Sequence, residues 1–245
     1  MAFLGKTRVF VNEFNLSSYL DQADVELLGS AVEFTTFVDD ERKYNPSGVR
    51  DGSAMCTGFA DGDADAVSEV LDSIFNTAGN LVTICPEGNT QGVGAWLLQA
   101  ISHQFKARSS ILQQSRITGG FRVQKDGIMY GNLAHAQAVR TSAGASNGPN
   151  IDLGSGPAAR TGMVLLHAFS VTGSTPTIQA ALQHSDDGST GWAAVATTST
   201  LNAAGSAVAV FKGSIKRYIR GVLTLGGSGL SINCAVSIGS FNDPV

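Results

Sequence analysis

Residues 116–125 (RITGGFRVQK), the dipeptide Asp126-Gly127 and residues 128–139 (IMYGNLAHAQAV) decide how this chain folds. Both runs read as long strands. Asp-Gly between two extended runs is a strong short-range signal for a two-residue hairpin, because both central positions of such a turn need positive φ. The middle of the chain is therefore expected to be antiparallel β-structure.

The same reading extends toward the N-terminus. Residues 96–107 and 81–85 read as strands, with a glycine-rich loop at 86–94 between them. Residues 63–78 are the one clear helix: Val67, Val70, Leu71, Ile74 and Phe75 form a single apolar stripe, and Gly79-Asn80 ends it. Asp61, Asp63 and Asp65 at its start suit capping and the helix dipole. Further runs at 7–14, 24–28, 31–38 and 53–59 read as strands; in the third, Val32, Phe34 and Thr36 alternate with Glu33, Thr35 and Phe37. Between the last two, residues 39–52 hold seven charged side chains among turn residues, near the length at which loops inside domains are often functional.

Toward the C-terminus, residues 141–161 mark a break in composition and read as either a flexible linker or an ordered crossover. Strand patterns then recur at 163–171, 177–184, 192–198, 207–212, 216–225 and 230–238, the spacing of a β-sandwich. The expected organisation is a β domain over 1–140 with its helix at 63–78, a linker or crossover over 141–161, and a β-sandwich module over 162–245.

Composition narrows the function. The 245 residues include 16 Lys+Arg against 20 Asp+Glu, which lacks the cationic footprint of a nucleic-acid binder. Residues 1–140 carry 16 acidic and 11 basic side chains, residues 141–245 carry 4 and 5, so the two parts present different surfaces. Charged residues are only 15% of the chain, and 29 glycines favour turns and strands. No apolar run reaches a membrane span of about 18 residues, and the opening segment lacks the apolar core of a secretory signal. Cys56, Cys85 and Cys234 form no CxxC and read as reduced, mostly buried thiols; a Cys56–Cys85 disulfide stays open.

Chemistry is mostly missing. There is no phosphate-binding glycine loop, no GxSxG and no HExxH. His103, His135, His167 and His184 are scattered, and His167 lies in an apolar run, as a hydrogen-bonded core residue would. His184, Ser185, Asp186 and Asp187 contain triad residue types, but neighbours on one turn cannot adopt triad geometry by adjacency. Asp61, Asp63, Asp65 and Asp72 match four positions of a calcium loop, yet Ala66 replaces the glycine that the turn needs and the closing glutamate is missing. Trp192 beside a polar turn either stacks on a sugar or packs between sheets. No cofactor, metal or catalytic residue is expected.

Phe10-Val11-Asn12-Glu13-Phe14-Asn15-Leu16-Ser17-Ser18-Tyr19-Leu20, then residues 32–37, the charged segment with Gly48-Val49-Arg50-Asp51-Gly52, the run 53–59 and the helix follow one another in a telling order. In that order the first half resembles the tail tube proteins (major tail proteins) of bacteriophages with long, non-contractile tails. Leu182-Gln183-His184-Ser185-Asp186-Asp187-Gly188-Ser189-Thr190-Gly191-Trp192 and Lys216-Arg217-Tyr218-Ile219-Arg220 resemble β-sandwich modules fused to phage tail proteins, with Gly191 as one extra residue.

The resemblance implies a mainly β fold, with a sandwich or barrel tail-tube domain, one flanking helix and a C-terminal sandwich. It implies a structural virion protein of the tail, assembled in the host cytoplasm, whose copies form stacked rings, hexameric by analogy, around a bore for DNA. Its implied partners are itself and the tape measure, tail terminator and tail-tip proteins; DNA passes without specific binding, and no membrane is involved. Stacking would use Asp39, Asp40, Glu41, Arg42, Lys43, Arg50 and Asp51 for inter-ring ion pairs. The alternative is an adhesin or carbohydrate-binding tail module reading a glycan through Trp192.

Overall fold

A computed structural model describes residues 6–33, 44–60, 67–110 and 113–242. Thirteen antiparallel strands and one short helix account for most of them, as expected of a mainly β chain with a flanking helix.

β1 (Arg8–Val11) and β2 (Phe14–Asn15) form a tight hairpin, so the expected run 7–14 folds back on itself. Asn12 turns it at φ +51, a region asparagine tolerates, and its Oδ1 accepts the Leu81 amide at 2.9 Å. β3 (Leu20–Glu33) merges the two expected runs as far as they are described. β4 (Tyr44–Phe59) corrects the loop at 39–52: residues 44–52 are strand, paired with β3 from Glu33↔Tyr44 to Leu27↔Gly52. Pro46 has no amide to give a ladder, and it sits where, among the described residues, β4 has only β3 beside it, since β7 joins from Ser53 onward. Residues 39–43 lie outside the described residues.

α1 (Val67–Ser73) is shorter than the expected 63–78; its start at 63–66 lies outside the described residues. Its end is early for a local reason. The Ser73 hydroxyl donates to the Val70 carbonyl and the Thr77 hydroxyl to the Ile74 carbonyl, and Asn76 takes φ +57. Val67, Val70, Leu71 and Ile74 are buried, whereas Phe75, the last of the expected stripe, is exposed.

β5 (Asn80–Cys85), β6 (Gly94–Ser110) and β7 (Gln113–Arg140) follow. Here the hairpin expectation fails. Asp126 and Gly127 do take positive φ, +58 and +72. Yet residues on both sides keep pairing with β6, from Trp96↔Tyr130 and Leu97↔Met129 to Gln99↔Lys125 and Ala100↔Val123. The dipeptide is a bulge in one continuous strand, because a 17-residue β6 offers a partner to both halves. It is also where the other neighbour of β7 changes: β4 flanks residues 116–122 and β13 flanks 131–140.

β8 (Gly144–Asn147) and β9 (Ile151–Asp152) both pair with β13. β10 (Ala158–Ser185) and β13 (Tyr218–Asn242) each merge two expected strands and pair along nearly their whole length. β11 (Ala193–Thr197) and β12 (Gly205–Ile215) flank opposite ends of β10. The stretches between those expected strands bend within β10 and β13, with Gly173, Thr175, Gly227 and Gly229 at positive φ. Val164, Leu166 and Ala168 from one end of β10 share a buried cluster with Ile178, Ala180 and Leu182 from the other, so the ribbon doubles over to make its own sandwich.

A second cluster lies between α1 and the sheet of β3, β4, β7 and β6. A third, with Phe10, Leu97, Met129, Met163, Leu165 and Ala235, draws on strands of both halves. At this junction His167 on β10 is fully buried. Its Nδ1–H donates to the Asn12 carbonyl at 2.7 Å, and Nε2 therefore accepts from the Thr83 hydroxyl at 2.9 Å. It is the satisfied core histidine expected from the sequence. Burial pushes it down to about 4. The unfolded chain gains a proton below about pH 6.5 that the native imidazole refuses until about pH 4, so stability falls as pH drops through that window, by about 3 kcal/mol from this residue. Urea unfolding at pH 7 and pH 4.5 should show this loss, and His167→Gln should flatten its slope.

Candidate functional site

The feature that stands out is a four-stranded sheet in the order β3–β4–β7–β6, antiparallel throughout. One face is the lid of the core: Ala54, Cys56, Ile117 and Phe121 are buried there, with Ala23, Val25 and Phe105 packed alongside. Gly119 on this face lets α1 approach, since a Cβ there would lie 2.8 Å from the Leu71 Cδ2. Alternation sends the intervening residues to the other face.

On that second face the ladder aligns rows. Asp24, Met55, Gly120 and Gln104 form one row; Gln22, Thr57, Thr118 and Lys106 form the next. Phe59, Arg116 and Arg108 form a third. The β3 edge carries Asp21, Asp24 and Glu26, and the β6 edge carries Lys106 and Arg108, all five exposed. Between them, Arg116 grips Asp21 at 2.7 Å and 2.8 Å, and its guanidinium lies 5.2 Å from the Phe59 ring centre. Arg122 bonds Asp51 at 2.8 Å. Four carboxylates (Asp21, Asp24, Glu26, Asp51) thus face four cations (Lys106, Arg108, Arg116, Arg122) on one polar surface.

Both outer edges of this sheet are open among the described residues. β3 pairs only with β4. β6 pairs with β5 only through residues 96–100, and the 76–77 turn covers Ser102; residues 103–109 have β7 on one side and no strand on the other. Such edges offer unpaired N–H and C=O groups to another strand.

Of the residues expected to mediate stacking, Asp39, Asp40, Glu41, Arg42 and Lys43 lie outside the described residues. Arg50 stands on β4 opposite Gly29. Asp51 is held in the chain: the Arg122 guanidinium and the Gly52 amide keep its carboxyl below its ordinary range. The sequence reading missed Asp24, Glu26, Lys106 and Arg108. Their signal was the charged residue at every second position of an alternating strand, which gives a face but no neighbour.

The other candidates resolve into structure. All three cysteines are free and buried, and burial pushes Cys56 and Cys85 up to about 12, so the open disulfide option is not used. His135 is buried and held down to about 4 by burial and the Arg140 cation. The Ser185 hydroxyl donates to the Asp187 carboxylate at 2.9 Å, which also accepts the Ser189 and Thr190 amides and the Thr190 hydroxyl. These bonds hold Asp187 far below the usual carboxylate range and tie up the acceptor a base would need. Trp192 is half-buried, and the Arg220 guanidinium covers one face of its ring, 4.1 Å from the centre. Among the described residues there is no group of three or more potential metal ligands, and no helix is long and apolar enough to cross a membrane. Asp61, Asp63 and Asp65 lie outside that description.

No family model matches the chain, and no curated protein matches it. Among solved structures, the tail of an empty gene transfer agent particle, refined with C6 symmetry, is 10% identical with a TM-score of 0.40, over 50% of this chain and 94% of that one. The sheath–tube complex of an extracellular contractile injection system (PVC) in its extended state is 9% identical with a TM-score of 0.43, over 52% and 89%. The Dit protein of phage SPP1, a hub adsorption apparatus protein, is 11% identical with a TM-score of 0.39, over 96% and 99%.

Proposed function

We propose that the chain is a structural protein of a phage tail whose copies join into stacked rings around a bore for DNA. The observation that supports it best is the open-edged, four-stranded sheet. Because four is even, β6 of one copy and β3 of the next run antiparallel when copies are related by rotation about an axis along the strands. Every junction then repeats the ladder already present inside each chain. The core-packed face turns outward and the polar face inward.

Six copies would join about 24 strands at about 4.8 Å each, a backbone ring about 37 Å across before strand tilt widens it. Three copies would give about 12 strands, fewer than the roughly 16 of the narrowest porins that leave an aqueous channel. Six is therefore the proposed number. The inward face balances its cations with carboxylates, so phosphates passing along it find no cationic groove to release counterions into. Filter binding to duplex DNA at moderate salt should show no measurable affinity; submicromolar binding would contradict a free-sliding bore.

Stacking is assigned to residues 39–43 between β3 and β4, together with Arg50. Replacing 39–43 alone by Gly-Ser leaves β4 whole, and negative-stain images should then show rings without tubes. Normal tubes from that variant would refute the assignment. The tape measure, tail terminator and tail-tip proteins are the further partners of this reading, the virion tail its location and the host cytoplasm the place of assembly.

A further inference from the structure

We propose that the seam between neighbouring copies is an ion-pair seam, with Lys106 and Arg108 of one copy facing Asp24 and Glu26 of the next; this rests on the tube reading above. All four side chains are exposed, and none of them makes an ion pair within the chain among the described residues, whereas the inner charges of the same face do, as Arg116–Asp21 and Arg122–Asp51. Among the described residues Asp24 accepts one side-chain hydrogen bond, from Gln22 at 2.7 Å. Cations are gathered on one open edge and carboxylates on the other, which suits a head-to-tail contact and opposes the two symmetric ones, β3 to β3 and β6 to β6.

The register supports the pairing. Continued straight across the seam, the rows set Lys106 beside Gln22 and Gln104 beside Asp24. A stagger of two residues sets Lys106 beside Asp24 and Gln104 beside Glu26, and an even offset keeps every side chain on its own face. In the staggered register Lys106 has Asp24 directly opposite and Arg108 has it diagonal, within reach of long side chains, whereas the straight register gives only Lys106 a carboxylate, Asp24 on the diagonal.

The test uses two full-length variants. Lys106→Glu with Arg108→Glu makes both edges acidic; Asp24→Lys with Glu26→Lys makes both basic. Since the four side chains are exposed, thermal midpoints of the monomers should stay near wild type, which separates folding from assembly. Each variant alone should need about tenfold more protein than wild type to form rings or tubes by sedimentation and negative stain. Their equimolar mixture should assemble near the wild-type concentration, because alternating copies restore opposite charges at every seam. Alternation closes only in a ring with an even number of copies, so rescue also favours six over three.

Variants that assemble like wild type, or a mixture no better than its components, would overturn the seam while leaving the tube reading intact. Wild-type protein that never assembles would overturn the tube reading and the seam with it.

Discussion

Replacing Gly131 by alanine should cost about 4 kcal/mol, because the new methyl group has nowhere to go and strands must part to admit it. Gly131 on β7 faces Gly239 on β13, and a Cβ there would lie 1.9 Å from the Ile238 carbonyl oxygen and 2.5 Å from the Gly239 Cα. Backbone atoms cannot swing aside as a side chain can. For a chain of this size such a loss corresponds to a fall in Tm of roughly 8–16 °C. Gly79→Ala is the control. That glycine sits at φ +85 with nothing within 4 Å of its would-be Cβ, so only left-handed backbone strain of about 1 kcal/mol is at stake. Equal losses in calorimetry for the two variants would show that the β7–β13 contact is not what holds the halves together.

Phe10→Ala should cost about 3–5 kcal/mol, the range for deleting a fully buried aromatic side chain. Phe10 lies edge-on to Phe169 at 5.1 Å and tilted against His167 at 5.7 Å, so one ring from β1 packs on two residues of β10. The hole left behind adjoins the Asn12–His167–Thr83 hydrogen bonds, so the variant should also unfold at a milder pH than wild type on acid titration. A loss below about 1 kcal/mol in urea unfolding would mean that the cluster between the halves collapses to fill the space.

Local signals were legible. Asp126-Gly127 announced positive φ at both positions. What such a signal cannot say is whether the strands on either side pair with each other or with a third strand, since that depends on a partner many residues away. At Asp126-Gly127 the partner was β6, and the expected hairpin became a bulge. The same limit hid β4 inside a charged segment: residues 44–52 look like loop alone and become strand because β3 lies beside them.

The candidate site divides in the same way. That Asp24, Lys106 and Arg108 would sit on solvent faces of strands follows from alternation. That they would stand on opposite outer edges of one sheet follows only from the order β3–β4–β7–β6, which is set by non-local pairing. His167 was readable as a core residue from its apolar neighbours, whereas its two hydrogen-bond partners, on β5 and on the turn after β1, were not.

Averaged electron-microscope images of the concentrated wild-type protein, viewed down the ring axis, test the central proposal most directly. The expected result is a closed, hollow, six-fold ring with a continuous β-sheet around its bore, β6 of each copy beside β3 of the next. Material that stays monomeric at every concentration, or rings that meet through the C-terminal sandwich and leave the β3 and β6 edges bare, would contradict it.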